Sequence, residues 1–200
     1  DVELLDAIAR DQNFRYELRP SDGDTAMSVF TSHQAQVLMG SIASSQERID
    51  GGWFFSHSFY DGVTQSMAME PSSDTNTLAD LAGKAVAVVS GTLGAAYAES
   101  VKDKYGFSIA TFSDSHSMYA AVLEGRAAAC FEDTPALRDS IAGGVALELV
   151  PGSEGAASDY CVAICDEKDR PFLELFNQGL ANIRANGIYD AILAKYADTL

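Results

Sequence analysis

A single arginine, Arg48, follows the apolar stretch 37–40 and a run of small and polar residues. The guanidinium group is a planar fork of donors that matches both oxygens of a carboxylate. Small neighbours such as Ser41 and Ala43 would let backbone N–H and C=O groups approach the same ligand. These residue types at this spacing predict a carboxylate clamp. A solvated or ion-paired surface arginine fits the same pattern, so Arg48 alone does not decide between the two.

A glycine-rich turn, Ser90–Gly94, joins a predicted buried strand (84–89) to a predicted helix (95–104). This geometry aims free backbone N–H groups at an anion. The turn has neither the Gly-Lys-Ser/Thr ending of a nucleotide-binding loop nor the glycine spacing of a dinucleotide site. The turn predicts either ordinary helix packing or a ligand site.

Two acids, Glu132 and Asp133, follow the predicted short strand 127–131. Ligands of open α/β sheets lie beyond the carboxyl ends of the strands, which is where these acids are expected. Consecutive strand residues point to opposite faces, so the pair is not expected to act as a catalytic dyad. One acid is expected to face a cleft and the other to face solvent.

Composition restricts the partners. The chain has 200 residues, 47% hydrophobic, and 29 acidic against 13 basic residues give a formal net charge of -16. This size allows one large domain or two small lobes. The acidic charge argues against nucleic acid or an anionic membrane and favours a small-molecule ligand. The sequence has no apolar run of the roughly 20 residues that span a bilayer. The opening Asp1–Leu5 is no basic, apolar leader, and any signal segment is expected to have been removed.

The cysteines and histidines show no metal-ligand spacing, and no cofactor or metal site is predicted. The odd cysteine count excludes a fully paired framework. Alternation places Cys161 and Cys165 on one strand face, and buried free thiols are expected, although one disulfide stays open in an oxidising compartment. The residues concerned are Cys130, Cys161, Cys165, His33, His57 and His116.

The predicted elements alternate between strands and helices. The chain begins in a helix (2–10), and the strand that should precede it is expected to be missing from this sequence. Strands are predicted at 14–19 and 37–39. Two extended segments, 63–69 and 160–165, bracket a self-contained α/β block, which predicts residues 1–65 with 163–200 as lobe 1 and 66–162 as lobe 2. Two connections running side by side form a hinge, and the cleft between lobes is the expected ligand site.

Across essentially its whole length the sequence resembles the periplasmic amino-acid-binding proteins of ABC importers, which are solute-binding proteins of family 3. The resemblance implies an α/β, two-lobed type II periplasmic-binding-protein fold, with a mostly parallel sheet flanked by helices in each lobe and a two-strand hinge. Its motifs occur in the family's order at residues 1–9, 40–48, 55–60, 78–92, 124–135 and 183–190.

The resemblance also assigns roles. Arg48 would bind the ligand's α-carboxylate, with the backbone at Ser41 and Ala43 and the turn Thr92–Gly94 completing that pocket. Asp133 would accept the α-ammonium group, and Glu132 would occupy the position of a specificity side chain. Four positions depart from the family's usual residues: Ala43 replaces Ser or Thr, Leu93 a small residue, Gly23 an aromatic and Gln36 an Asp.

The implied function is a non-enzymatic receptor that closes on an amino acid or similar zwitterion and delivers it to the membrane permease of an ABC importer. A monomer in the periplasm or outside the cell, with or without a lipid anchor, is expected. Two alternatives share the fold. One is a cyclohexadienyl (prephenate/arogenate) dehydratase, in which a cleft acid assists loss of water. The other is the ligand-sensing domain of a membrane sensor kinase.

Overall fold

A computed structural model describes residues 1–196, which form eight α-helices and eight β-strands. The helices are α1 Val2–Gln12, α2 Gly23–Thr31, α3 Gln46–Asp50, α4 Leu93–Tyr105, α5 Ser115–Leu123, α6 Thr134–Ala142, α7 Arg170–Ala185 and α8 Ile188–Ala194. The strands are β1 Phe54–Phe55, β2 Tyr60–Met69, β3 Ala85–Val89, β4 Ser108–Phe112, β5 Ala129–Asp133, β6 Glu148–Leu149, β7 Gly155–Tyr160 and β8 Ala163–Ile164. Two 3₁₀ turns occur at Leu78–Leu81 and Glu167–Asp169.

The contacts divide the chain into two compact units. Among the described residues, unit 1 contains 1–21, 25–61 and 159–196, and unit 2 contains 62–158 with the short segment 22–24. The chain passes from one unit to the other at 61/62 and again at 158/159. The sequence placed these boundaries four residues later at each crossing, after residues 65 and 162.

Unit 1 is mainly helical. Helix α1 buries its apolar stripe, which includes Leu4 and Ile8, and packs against α7. Gly179 permits this close approach, because a Cβ there would lie 2.7 Å from Ile8 Cγ2. The described residues of this unit contain one two-stranded antiparallel sheet, in which Phe54 of β1 pairs with Ile164 of β8.

Two strands predicted in unit 1 do not form as predicted. Residues 14–19 belong to no strand, and the strand predicted at 37–39 is reduced to one bridge between Leu38 and Ala163. Alternating apolar residues describe a strand only where a neighbouring strand completes the hydrogen-bond ladder. The sheet of this unit is therefore antiparallel and short within residues 1–196, in contrast to the mostly parallel sheet that was expected.

Unit 2 is a three-layer α/β unit around a six-stranded mixed sheet. The strand order is β4-β3-β5-β2-β6, and β7 also pairs with β2. Strand β3 runs parallel to β4 and β5, whereas β2 is antiparallel to β5 and β6. The residues of β3 alternate between two cores: Val86 and Val88 pack with α4, and Ala87 and Val89 pack with α5 and α6. A strand buried on both faces explains the continuous apolar run from Ala85 to Val89.

Candidate functional site

Arg48 lies in the short helix α3 of unit 1. Ser45 caps this helix, and its Oγ accepts a hydrogen bond of 3.2 Å from the Arg48 N–H. A five-residue helix has little intrinsic stability, so the cap and the surrounding side chains determine where Arg48 is held.

The Arg48 guanidinium is oriented by a carbonyl and an aromatic ring. Its Nη1 donates to Ala43 O at 2.7 Å, and its Cζ lies 5.3 Å from the centre of the Trp53 ring. Trp53 in turn packs edge-on against the fully buried Phe30, with ring centres 4.9 Å apart. Burial lowers the pKa of Arg48, and neighbouring Glu47 opposes this shift, but an arginine remains a cation at any physiological pH. Within residues 1–196 Arg48 forms no ion pair.

Ser41 and Ala43, the other predicted site residues of unit 1, differ in their burial. Ser41 is exposed, whereas Ala43 is buried and uses its backbone carbonyl to hold the Arg48 side chain. Ala43 thus orients the Arg48 guanidinium although it lacks a side-chain hydroxyl. The contact between Arg48 and the Ala43 carbonyl depends on the backbone path of residues 43–48. Because any residue type at position 43 has this carbonyl, the sequence could not predict the contact.

In unit 2 the turn before α4 has a capped helix start. Thr92 Oγ1 accepts from Ala95 N at 3.2 Å and donates to Val89 O at 2.8 Å. Leu93 is partly buried and opens the helix. A Cβ on Gly94 would lie 2.6 Å from Phe131 O, so the absence of a side chain allows α4 to pack directly on β5. The packing explanation therefore accounts for Gly94 by itself, and the hydroxyl of Thr92 serves the helix cap.

Glu132 and Asp133 lie within β5, which extends two residues beyond its predicted end. Glu132 Oε1 accepts from Ser115 Oγ at 2.6 Å, and Oε2 accepts from Tyr119 OH. Asp133 is 5% exposed, and its Oδ1 accepts from Gln65 Nε2. The two side chains point apart as predicted. Asp133 is buried and Glu132 is only partly buried, and each carboxylate accepts hydrogen bonds from side chains of unit 2.

The environment of Glu132 changes its acid–base behaviour. Burial raises the pKa of Glu132, and the hydrogen bonds from Ser115 and Tyr119 partly offset that effect. Burial, together with the neighbouring Glu132 carboxylate, raises the pKa of Tyr119 strongly. The Tyr119 phenol therefore stays protonated at neutral pH and can donate to Glu132.

A polar cluster around Asp133 was not found from the sequence. Gln65 pairs with Asp133 across β2 and β5, and the Thr134 hydroxyl lies 2.8 Å from Thr64 Oγ1 and 2.7 Å from Ser66 Oγ. The available signal was three consecutive polar residues, 64–66, in an otherwise apolar extended segment. Their partners depend on strand register, which the sequence pattern did not supply.

All three cysteines are free thiols. Cys130 and Cys161 are buried, and Cys165 is partly buried. The Cys165 Sγ lies 3.3 Å from Phe30 O and 3.7 Å from His33 Nδ1. Within residues 1–196 no group of three or more His, Cys, Asp or Glu side chains is arranged to hold a metal ion.

An open pocket of about 620 Å³ lies in unit 2, away from the predicted site residues. Its walls include Lys84 and Ala128, which adjoin the amino ends of the parallel strands β3 and β5. Glu132 and Asp133 lie at the carboxyl end of β5. None of the predicted site residues lines this pocket.

Comparison with known proteins gives a consistent result. A family model described as bacterial extracellular solute-binding proteins, family 3, matches residues 1–199. The lysine/arginine/ornithine-binding periplasmic protein of Escherichia coli (strain K12) is 23% identical over 214 residues, with 99% of this chain and 78% of that protein covered. Substrate binding domain 2 of GlnP from Lactococcus lactis is 28% identical, covers 98% of this chain and 84% of its own, and has a TM-score of 0.65.

An ancestral arginine-binding protein bound to arginine has a TM-score of 0.85 at 22% identity, with 98% of this chain and 86% of that chain covered. This likeness confirms the predicted type II periplasmic-binding fold class. No helix in the described part of the chain has both the length and the apolar character needed to cross a membrane.

Proposed function

The chain belongs to the bacterial extracellular solute-binding proteins of family 3, and on that premise we propose that it binds a free amino acid through Arg48 and Asp133. Membership in this family makes it a binding protein and not an enzyme. The proposed roles are those of a zwitterion receptor: Arg48 binds the α-carboxylate and Asp133 accepts the α-ammonium group.

The state of Arg48 is the observation that carries this proposal. In a chain with 16 more acidic than basic residues, a half-buried arginine forms no ion pair within residues 1–196, yet Ala43 O and the Trp53 ring hold it in place. A guanidinium that is oriented but not neutralised is suited to receive a carboxylate from outside the chain. Ser41 and the N-terminal turn of α4, from Thr92 to Gly94, are proposed to complete the carboxylate pocket with backbone groups.

The proposal for the ammonium group rests on Asp133. Its carboxylate is buried in β5 and receives a hydrogen bond from Gln65, which fixes its orientation. Glu132 is proposed to act on specificity indirectly, since the Ser115 and Tyr119 hydroxyls engage both of its oxygens.

We further propose that the ligand has a cationic side chain. The excess of acidic residues attracts cations, and the relative from Escherichia coli is described as binding lysine, arginine and ornithine. The remaining proposals are closure of the two lobes on the ligand, delivery to an ABC permease, and a monomer that is secreted or lipid-anchored.

A thermal-shift screen against the twenty L-amino acids, with ornithine added, tests the proposed function. A ligand present at 100 times its Kd stabilises the folded state by about 2.7 kcal/mol, which raises the melting temperature measurably. L-arginine or L-lysine is expected to give the largest shift. Agmatine, which is arginine without its carboxylate, is the matched control and is expected to give little or none.

Two results would count against the proposal. If none of the amino acids raises the melting temperature, and calorimetry at millimolar ligand also detects no heat, amino-acid binding is wrong. If agmatine shifts the melting temperature as much as L-arginine, the carboxylate is not what the protein recognises.

A further inference from the structure

Gln65 is a buried amide whose presence core packing does not explain. It is 0% exposed in the middle of β2, and its Oε1 has no hydrogen-bond partner among residues 1–196. A buried carbonyl without a donor destabilises the folded state, and an apolar residue such as the nearby Met67 would fill a core position without that cost. The amide must therefore serve a purpose other than stability.

The partner of Gln65 indicates that purpose. Strand register places Gln65 opposite Asp133, and Gln65 Nε2 donates to Asp133 Oδ1. An ionised carboxylate can only accept hydrogen bonds, so the amide must present its NH₂ group to Asp133 and turn Oε1 away. One orientation of Gln65 is thus coupled to one orientation of the charged Asp133.

Helix α4 restricts the amide further. A Cβ on Gly94 would lie 3.3 Å from Gln65 Oε1, so the first turn of α4 contacts the amide closely without a side chain between them. Because Gln65 is enclosed by β5 and α4, its side chain has little freedom to leave Asp133. The carboxylate is pre-organised before any ligand arrives.

Resting on the proposed role of Asp133 in binding the ammonium group, we infer that Gln65 is a positioning residue that fixes the Asp133 carboxylate and so makes the site selective for ligands with an α-amino group. Gln65 is not itself expected to touch the ligand, since it is fully buried. Its unpaired Oε1 is the structural cost of presenting an N–H to Asp133.

The test compares two ligands on variants of the full chain. The probes are the amino acid with the largest thermal shift, L-arginine in the expected case, and the same molecule without its α-amino group, which for arginine is 5-guanidinopentanoate. Calorimetry should show that Gln65→Met weakens L-arginine binding about tenfold, because the Asp133 carboxylate is no longer oriented for its charge-assisted contact with the ammonium group. The affinity for the analogue should change by less than about twofold. Met67→Leu, a core change on the same face of β2, is the matched control and should affect both probes equally.

A measurement without ligand tests the coupling itself. In ¹⁵N NMR spectra the side-chain amide of Gln65 should shift and exchange faster with solvent in Asp133→Asn than in the wild-type chain. If Gln65→Met does not fold, Gln65→Leu replaces it, and this NMR arm does not depend on either variant.

The outcomes separate the two proposals. A wild-type chain that binds no amino acid overturns the proposed function, and this inference with it. A wild-type chain that binds L-arginine, while Gln65→Met weakens both probes equally or neither, overturns the positioning role alone. An unchanged Gln65 amide in Asp133→Asn does the same.

Discussion

Arg48 and Asp133, the two charged residues proposed to bind the ligand, lie in contrasting surroundings within their own units. Arg48 is on a five-residue helix, half-buried, and held by one carbonyl and one ring face. Asp133 is inside a six-stranded sheet, 5% exposed, and bonded to a buried amide. The cation is thus held at a few points, whereas the anion is part of a core.

The contrast separates binding from stability. A side chain held at few points can be removed with little effect on folding, and binding is then lost alone. A side chain inside a hydrogen-bonded core cannot be changed without leaving buried partners unsatisfied. Substitutions in unit 1 should therefore report on the ligand, and substitutions around β5 should report on both the ligand and the fold.

The largest expected effect is on binding in Arg48→Ala. Loss of the guanidinium should weaken the binding of L-arginine by at least about 30-fold, or about 2 kcal/mol. The reason is that no other described cation is proposed to bind the ligand's carboxylate. Calorimetry measures this loss. Urea denaturation should show a change of less than about 1 kcal/mol in the free energy of unfolding.

The control for Arg48→Ala is Arg126→Ala, which removes the same charge from an exposed pair with Glu124. Its effect on binding should be small, since exposed ion pairs contribute little. Equal weakening by both variants would mean that overall charge, and not a clamp at Arg48, governs affinity. Unfolding of Arg48→Ala would show that the helix α3 region is more tightly integrated than its few contacts indicate.

The next effect is on stability in Gly94→Ala. A Cβ placed 2.6 Å from Phe131 O forces α4 away from β5 and should destabilise the fold by about 1–3 kcal/mol. Chemical denaturation measures the change. Gly23→Ala is the control, because a Cβ at this helix start meets nothing within 4 Å and should leave stability within about 1 kcal/mol of the original. Similar stability of the two variants would contradict direct packing of α4 on β5.

Unit 2 was predictable from the sequence to a large extent. The apolar run of β3 and the helix predicted at 95–104, which lies within α4, follow from local patterns. The end of β5 was placed too early because Glu132 and Asp133 are charged, and charge normally marks a strand end. Side-chain partners override that preference, since Gln65 on the neighbouring strand donates to Asp133 and Ser115 of α5 donates to Glu132.

For the candidate site, the sequence supplied candidate residues but not their contacts. Arg48 was identified as a candidate clamp, but its stacking on Trp53 depends on how the turn after α3 folds back. The sequence did not identify Gln65 as a site residue, because an amide in an extended segment is equally compatible with a side chain that faces solvent. Only the register of β2 against β5 places it on Asp133.

The smallest expected effect is on the pH dependence of stability, through Glu132. Burial raises the pKa of Glu132 in the folded protein above that of an unfolded glutamate, so the folded state binds this proton more tightly. Stability must then fall as pH rises from the unfolded pKa, whose ordinary value is 4.5, through the higher folded value. Carboxylates with lowered pKa, such as Asp114, contribute in the opposite direction, so the comparison must be between matched variants.

Glu132→Gln removes this proton while keeping an acceptor for the Ser115 and Tyr119 hydroxyls. Relative to the wild-type chain it should gain stability as pH rises from about 4.5 to 7, by on the order of 1 kcal/mol or less. Urea denaturation across that range measures the difference. Glu154→Gln, at an exposed position, is the control and should follow the wild-type curve closely. Parallel curves for wild type and Glu132→Gln would mean that the hydrogen bonds from Ser115 and Tyr119 fully compensate for burial of the Glu132 carboxylate.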